Sequence, residues 1–314
     1  MIQTLKVWIK AIRAPFFAAP LTSGILGAVI AWHNSGDFHW GYFFLTLSGI
    51  VLLNAGTNLI NDYFDHTSNL DEINKHPTRF SGGSRVIQDQ LLSPRAIFYG
   101  GILSFALASI IGLYLNYRTS GNVILIIGLV GLFLGYFYTA HPLRLGYTPL
   151  GEFVTGFACG PLIVCGSYYV QAQSLSWEPF WASIPIGILL GLILFINEFQ
   201  DYEADKAIGK KTLPVILGKR SAIKLYYLFL GGTYLFTCLG VLIKLFPPFV
   251  LITLLTLPLA YRACKVAMKH FDRIIELLPA NAATIALDLT FGLLFAGGYV
   301  LDRLVGNAMN TYFG

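Results

Sequence analysis

Long apolar stretches are the feature that most constrains the fold of this chain. Its 314 residues are 55% hydrophobic and only 12% charged, whereas soluble domains carry about 25% charged residues. A helix needs about 20 apolar residues to cross the roughly 30 Å hydrocarbon layer of a bilayer. The sequence therefore predicts an all-α, polytopic membrane bundle that forms a single domain over residues 1–314. Nine transmembrane helices are predicted, near residues 16–33, 41–57, 96–115, 122–139, 153–172, 180–197, 223–243, 246–262 and 282–301.

The basic residues are divided unevenly between the two sides of this predicted bundle. If the N-terminus and the loop after every second helix share one side, that side holds 18 of the 21 Lys and Arg residues. Lys and Arg are in excess in cytoplasmic loops. We therefore expect a protein of the cell (inner) membrane whose N-terminus and two long loops, near 66–95 and 206–222, face the cytoplasm. The net charge of +5 reflects this face; neither a nucleic acid nor a protein partner is implied.

The first acidic segment follows the second apolar stretch, where carboxylates are costly and several together indicate function. Asn58, Asn61, Asp62 and Asp65 lie three or four positions apart, so on a helix they share one face. Asp71 lies too far round a continuous helix. It joins the others only if the helix ends near residues 67–69 and the loop folds back, which the turn-forming residues there allow.

The second acidic segment follows the sixth apolar stretch. Asn197, Asp201 and Asp205 are spaced by four residues and also share one helix face. Glu198 and Glu203 lie off that face, and we interpret them as ordinary interfacial charges. Two facing rows of carboxylates repel each other unless cations lie between them. The two segments therefore predict a divalent metal site at a membrane surface.

Basic residues follow both acidic segments and complete a chemical pattern. Mg²⁺ prefers oxygen ligands and commonly combines one or two carboxylates with phosphate oxygens and water. Cations near such a metal are suited to a phosphate-bearing ligand. The pattern indicates a diphosphate site at the ends of transmembrane helices, with room for an apolar tail in the bundle, as a polyprenyl diphosphate would need. The candidate diphosphate-binding residues are Arg79, Arg85, Lys206, Lys210 and Lys211.

Other polar residues in apolar stretches give weaker signals. Asp288 lies in the last stretch, where it could be functional, hydrogen-bonded to another helix, or protonated. The cysteines lack paired short spacing, and we expect them to be reduced thiols. They are Cys159, Cys165, Cys238 and Cys264.

At its two acidic segments the chain resembles the UbiA superfamily of intramembrane aromatic prenyltransferases. That family carries an Asn-x3-Asp motif after helix 2 and an Asn-x3-Asp-x3-Asp motif after helix 6, and the resemblance covers essentially the whole chain. Many members place a third acid four residues after the first Asp, where this chain has Asn69 and then Asp71. That spacing resembles the spacing in the 1,4-dihydroxy-2-naphthoate polyprenyltransferases of menaquinone biosynthesis. Further similarity to that branch lies in residues 138–144, 146–152, 160–161, 166–171 and 209–214.

The resemblance implies a reaction and assigns roles to residues. Two Mg²⁺ ions would bridge the diphosphate, an allylic cation would form, and an aromatic ring would attack it with loss of CO₂. The implied catalytic and metal-binding residues are Asn61, Asp65, Asp71, Asn197, Asp201 and Asp205. Candidate substrate contacts are Asn58, Tyr63, Tyr138 and Arg144.

Two alternatives remain open from the sequence. The acceptor could be another aromatic compound, such as an isomeric dihydroxynaphthoate or 4-hydroxybenzoate, because the same metal site would serve each. An ion-coupled transporter would also place acids in the membrane, but near its midplane and on broken helices. Here most acids lie at one interface beside basic loops, which favours an enzyme.

Overall fold

The computed structural model describes the backbone of residues 2–313 and the side chains of residues 3–306. Residues 2–313 form helices and loops without a β-strand, which confirms the all-α class. We number the helices α1 Ile2–Ala11, α2 Ala14–Ser35, α3 Trp40–Thr67, α4 Leu70–Ile73, α5 Pro94–Arg118, α6 Val123–Phe137, α7 Gly151–Ala172, α8 Trp177–Ala207, α9 Leu213–Leu217, α10 Lys219–Leu242, α11 Pro248–His270 and α12 Ile274–Phe313.

The lengths of these helices fit a protein that crosses a membrane many times. Within the described residues, eight helices are long and apolar enough to span: α2, α3, α5, α7, α8, α10, α11 and α12. Helix α6 is equally apolar but has only 15 residues, which gives a length of about 22 Å at 1.5 Å per residue. The chain is thus a multi-pass membrane protein. The total of nine spans depends on α6 and stays a prediction.

Local sequence explains where the two helices flanking the first long loop end and begin. Helix α3 ends at Thr67, and Asn69 adopts a left-handed conformation with φ 60° that redirects the chain. Helix α5 begins at Pro94, whose fixed φ suits the first helical position. The Ser93 hydroxyl accepts the Ala96 N–H at 3.2 Å and caps this helix. The intervening loop is therefore held at both ends, close to the first acidic segment.

Glycines fix the position of α8, which carries the second acidic segment. A Cβ atom on Gly156 of α7 would lie 2.5 Å from the Gly187 carbonyl oxygen of α8. A Cβ atom on Gly160 would lie 2.6 Å from the Gly187 Cα. The two backbones thus touch directly, as helices in membranes do where small residues line the contact. Just there, α7 widens into a π-helical turn, Ala158–Leu162, which contains Pro161.

Two apolar clusters place the two acidic segments. The larger cluster joins α2, α7, α8, α10, α11 and α12, and includes the fully buried Leu189, Tyr226 and Phe291. A smaller cluster packs Ala11 of α1 against Leu59 of α3, together with Ile97 of α5 and two residues, Val86 and Ile87, of the loop before α5. Helix α1 is thereby held against the helix that carries the first acidic segment.

Candidate active site

Arg13 holds the first part of the acidic face of α3. Its guanidinium group donates to Asp62 Oδ1 and, at 2.9 Å, to Asn61 Oδ1. The Ser84 hydroxyl donates to the second oxygen of Asp62. Burial disfavours the charge on Arg13, but Asp62 outweighs that effect and raises the pKa of Arg13. Asp62 is therefore occupied by protein groups, whereas no cation among the side chains of residues 3–306 forms an ion pair with Asp65, one turn further.

Tyr147 orients Asp65. Its phenol donates to Asp65 Oδ1 at 2.6 Å, and its oxygen lies 2.8 Å from the Ser68 hydroxyl. Burial, followed by the negative charge of Asp65, raises the pKa of Tyr147, so the phenol keeps the proton that it donates. Asp65 Oδ2 accepts no hydrogen bond from the side chains that the structure describes, so it is open to a further ligand.

Asp71 does fold back towards α3, because that helix ends at Thr67 as the prediction required. The Asp71 side chain is only 3% exposed. Burial, together with the negative charges of Asp65 and Asp62, raises the pKa of Asp71 to about 8. The loop passes so close that a Cβ on Gly83 would lie 2.8 Å from Asp71 Oδ2. Such a concentration of carboxyl groups is a candidate position for a cation, whose charge would favour the ionised form of Asp71.

The loop after α3 joins the two acidic segments. Asn74 in this loop donates to Asp201 Oδ1 of α8 at 2.8 Å. Gln200 Oε1 accepts from the Thr78 hydroxyl at 2.5 Å and the Ser81 hydroxyl at 3.1 Å. The two segments thus lie at the same end of the bundle, as the sequence predicted.

Lys210 supplies the positive charge among these acids. Its Nζ lies 3.2 Å from Asp205 Oδ1, and the Asp205 side chain is fully buried. Burial disfavours the ammonium charge, but Asp205, Glu198 and Asp65 outweigh it and hold the pKa of Lys210 well above its usual value. Asp205 Oδ2 is buried and has no hydrogen-bond partner among the described residues. Buried polar atoms without partners are rare and indicate a missing ligand.

The other predicted cations are placed differently. The Arg85 guanidinium donates to the backbone oxygen of Asp71, so it supports the loop. Arg79 is exposed, and its guanidinium lies over the Phe80 ring. The side chains of Lys206 and Lys211 are exposed. Of the five predicted diphosphate-binding residues, Lys210 is the one whose charged group the structure buries among the acids.

The interpretation of Glu198 as an interfacial charge is wrong. The Glu198 side chain is only 3% exposed and lies beside Glu152, which is also buried and accepts the Leu213 N–H at 3.2 Å. Helix α8 is packed on nearly all sides, so positions off the Asn197 face are buried too. Glu203 is exposed, as expected.

The acids fit a metal that is completed by its substrate. Among the side chains of residues 3–306, no three Asp, Glu, His or Cys groups form a ready-made metal site. Mg²⁺ commonly takes one or two carboxylates and fills its other positions with water and substrate phosphate. Asp65 and Asp71 supply carboxylates from one wall, and Asp201 and Asp205 from the other. The free buried oxygen of Asp205 suits such a cation.

A cavity leads from the acidic end into the apolar bundle. It has a volume of about 440 Å³, within the usual range for ligand pockets. Asn58 and Tyr138 line its end nearest the acids, and Leu115, Ile124 and Val170 line the other end. Along α3 the lining runs from Thr46 to Asn58, which spans about 18 Å. The cavity has the shape and polarity that a polar head with an apolar tail requires.

The four predicted substrate contacts divide into two groups. Asn58 and Tyr138 line the cavity, although Asn58 Nδ2 also donates to the Ile12 carbonyl at 3.0 Å. Tyr63 does not line it: its ring packs 4.9 Å from that of Phe98 on α5. Arg144 lies 4.5 Å above the Tyr147 ring, and its Nε is buried without a partner in the described part of the chain.

Several residues that build the site carried no role in the sequence interpretation. They include Arg13, Tyr147 and Gln200, together with Asn281, which donates to Asn197 Oδ1 at 2.7 Å. The sequence feature that could identify such residues is a polar side chain at the edge of an apolar stretch, as for Arg13 and Asn281. Asp288 is fully buried and its oxygens have no partner among residues 3–306, so the helix–helix hydrogen bond considered for it is not formed there.

Comparison with known proteins agrees with this geometry. The model of the UbiA prenyltransferase family matches residues 21–285. The chain is 31% identical over 299 residues to a 2-carboxy-1,4-naphthoquinone phytyltransferase of Synechocystis sp., covering 94% of each chain. It is 28% identical to a 1,4-dihydroxy-2-naphthoate octaprenyltransferase of Bacillus subtilis, covering 83% of this chain and 81% of the relative.

Solved structures show the same fold. A UbiA homologue from Archaeoglobus fulgidus bound to GPP and Mg²⁺ aligns with a TM-score of 0.66 at 17% identity, over 92% of this chain and 99% of that one. The same homologue bound to DMAPP and Mg²⁺ aligns with a TM-score of 0.65 at 17% identity, over 92% and 98% of the two chains. The motifs, the fold and the family match agree, and the chain belongs to the UbiA prenyltransferase family.

Proposed function

We propose that this protein transfers a polyprenyl group from a polyprenyl diphosphate to 1,4-dihydroxy-2-naphthoate, with loss of CO₂, in a Mg²⁺-dependent step of menaquinone biosynthesis. The observation that carries the proposal is the buried Lys210–Asp205 pair among converging acids, close to Tyr138, which lines the apolar cavity. Charged groups for a diphosphate and apolar lining for its tail meet there. Membership of a prenyltransferase family decides against the transporter alternative.

The names of relatives support the acceptor class. The Synechocystis and Bacillus relatives are both named for a naphthalene ring that carries a carboxylate. Their donors differ, since one is named for a phytyl and the other for an octaprenyl group. The acceptor class therefore has support from two relatives, and the donor length is open.

The residues of this chain provide the parts of a cation-forming reaction. Asp65, Asp71, Asp201 and Asp205 are the candidate metal ligands, and bound Mg²⁺ would neutralise the departing diphosphate. Lys210 adds a positive charge that its neighbours keep protonated. Tyr147 holds Asp65 in place. The apolar lining below Asn58 and Tyr138 excludes water, which would otherwise capture the allylic cation.

We place the site on the cytoplasmic side of the cell (inner) membrane. The excess of basic residues at that end supports this orientation. The contact between Asn74 and Asp201 joins the end of α3 to the end of α8, which supports one shared side for the two acidic segments. Those ends share a side when α5, α6, α7 and α8 each cross once, which favours a spanning α6 and nine helices in one domain.

A reconstituted assay tests the proposal. The purified protein in nanodiscs receives Mg²⁺, geranylgeranyl diphosphate and 1,4-dihydroxy-2-naphthoate labelled in its carboxyl group. We expect labelled CO₂ and a prenylated naphthoquinol, and no product with EDTA. Asp205→Ala should remove the activity, whereas Glu203→Ala, an exposed acid two positions away, should keep it. Transfer to 4-hydroxybenzoate, with none to the naphthoate, would refute the acceptor assignment.

A further inference from the structure

The amide oxygen of Asn61 accepts a hydrogen bond from a protein donor. Arg13 Nη2 donates to Asn61 Oδ1 at 2.9 Å. A guanidinium group has only donors, so the atom of Asn61 that faces it must be the oxygen. The contact with a group that can only donate therefore fixes the orientation of this amide.

The amide oxygen of Asn197 accepts a hydrogen bond in the same way. Asn281 Nδ2 donates to Asn197 Oδ1 at 2.7 Å. Asn281 in turn accepts from Gln200 Nε2 at 2.7 Å through its own oxygen. At each step the amide nitrogen of one residue donates to the amide oxygen of the next, and the series of hydrogen bonds ends at the oxygen of Asn197.

Backbone groups anchor the direction of that chain. The N–H groups of Phe80 and Ser81 donate to Thr78 Oγ1 at 3.1 and 3.2 Å. A backbone N–H cannot accept, so these bonds occupy the lone pairs of the Thr78 hydroxyl and direct its proton to Gln200 Oε1 at 2.5 Å. The Gln200 nitrogen must then face Asn281. Reversing any amide in the series would bring two donors or two acceptors together.

The two asparagines therefore offer their nitrogens to the site. Each precedes an acid of its motif by one helical turn: Asn61 precedes Asp65, and Asn197 precedes Asp201. Neither amide nitrogen has an acceptor among the described residues, and neither is among the buried atoms that lack a partner. An N–H group is repelled by a metal ion but binds a phosphate oxygen.

We propose that Asn61 and Asn197 are hydrogen-bond donors to the diphosphate, and that the metal-binding role belongs to the carboxylates of the two motifs alone. This inference rests on the proposed function, and it replaces the metal-ligand role that the sequence predicted for both asparagines. The matching arrangement in the two motifs supports it: in each, a protein donor holds the amide oxygen.

Two binding measurements test the inference without turnover. Mn²⁺ binding is followed by electron paramagnetic resonance without a diphosphate, and binding of geranyl thiolodiphosphate with Mg²⁺ is followed by calorimetry. For Asn61→Ala and Asn197→Ala we expect unchanged Mn²⁺ affinity and a roughly tenfold or greater loss of thiolodiphosphate affinity. Asp65→Asn serves as the matched control, for which Mn²⁺ affinity should fall.

A second substitution keeps the test decisive if the alanine variants do not fold. Asn61→Asp and Asn197→Asp preserve an oxygen towards Arg13 or Asn281 and replace the donating nitrogen with a second, negatively charged oxygen. If the two asparagines donate to the diphosphate, the aspartate variants should bind the thiolodiphosphate more weakly and bind Mn²⁺ equally or more tightly. The inference is overturned if either alanine variant loses Mn²⁺ affinity as Asp65→Asn does, or if the aspartate variants bind the thiolodiphosphate like the wild type. A wild-type protein that binds neither probe would instead refute the proposed function.

Discussion

Replacing Lys210 with Met removes the cation that the structure pairs with Asp205 while keeping a stem of similar length. Lys210 Nζ and Asp205 Oδ1 are 3.2 Å apart, and their side chains are 15% and 0% exposed. At that separation and an effective dielectric constant of about 20, the attraction is about 5 kcal/mol. Removing one partner of a buried pair typically costs about 3–5 kcal/mol, because the other charge is left without compensation. We expect a loss of about 3 kcal/mol in Lys210→Met.

Thermal unfolding in detergent without Mg²⁺ measures this loss. A change of about 3 kcal/mol corresponds to a fall in Tm of roughly 5–10 °C. Lys211→Met is the matched control, since it removes the same charge from an exposed neighbour and should shift Tm by less than about 1 °C. Equal Tm values for the two lysine variants would refute the reasoning, as would full stability in Lys210→Met.

Three further substitutions test other parts of the structure. A Cβ on Gly128 would enter open space in the cavity, so Gly128→Leu should reduce transfer of long prenyl groups relative to geranyl. Mass spectrometry of the products measures this. Gly231→Leu is the control, because a Cβ there also meets no other atom but lies outside the cavity. Gly160→Leu should force α7 away from α8 and lower Tm by several degrees, whereas the same Gly231 control should not, as thermal unfolding would show. Tyr147→Phe removes the donor to Asp65 and should lower kcat/KM about tenfold with little change in Tm, and steady-state kinetics would contradict this if activity were unchanged.

The helices could be predicted because the signal for a membrane span is long and needs no tertiary context. The apolar stretch near 180–197 does correspond to α8, but the helix runs from Trp177 to Ala207. The hydropathy pattern identifies only the part of α8 that lies within the hydrocarbon layer. The last turns of the helix are polar and carry the second acidic segment. The same limit applies to α3, which continues to Thr67.

The acids of the site could be predicted because helical spacing places them on one face, but their partners could not. Arg13 reaches Asp62 across 49 positions, and Asn281 reaches Asn197 across 84. No periodicity links residues that far apart. The prediction for Glu198 fails for a related reason: its position off the Asn197 face indicates an interfacial charge, whereas that face packs against α7, where Glu198 meets Glu152.

The contacts of Arg13 with Asn61 and Asp62 have a consequence for where the catalytic part of this enzyme begins in the sequence. The family match begins at residue 21, yet the guanidinium that fixes both Asn61 and Asp62 comes from the segment before it. A shortened protein that starts at the matched region would keep every motif residue but would leave the buried carboxylate of Asp62 without its cation. The working unit of catalysis therefore reaches further towards the amino terminus than the recognisable family segment does.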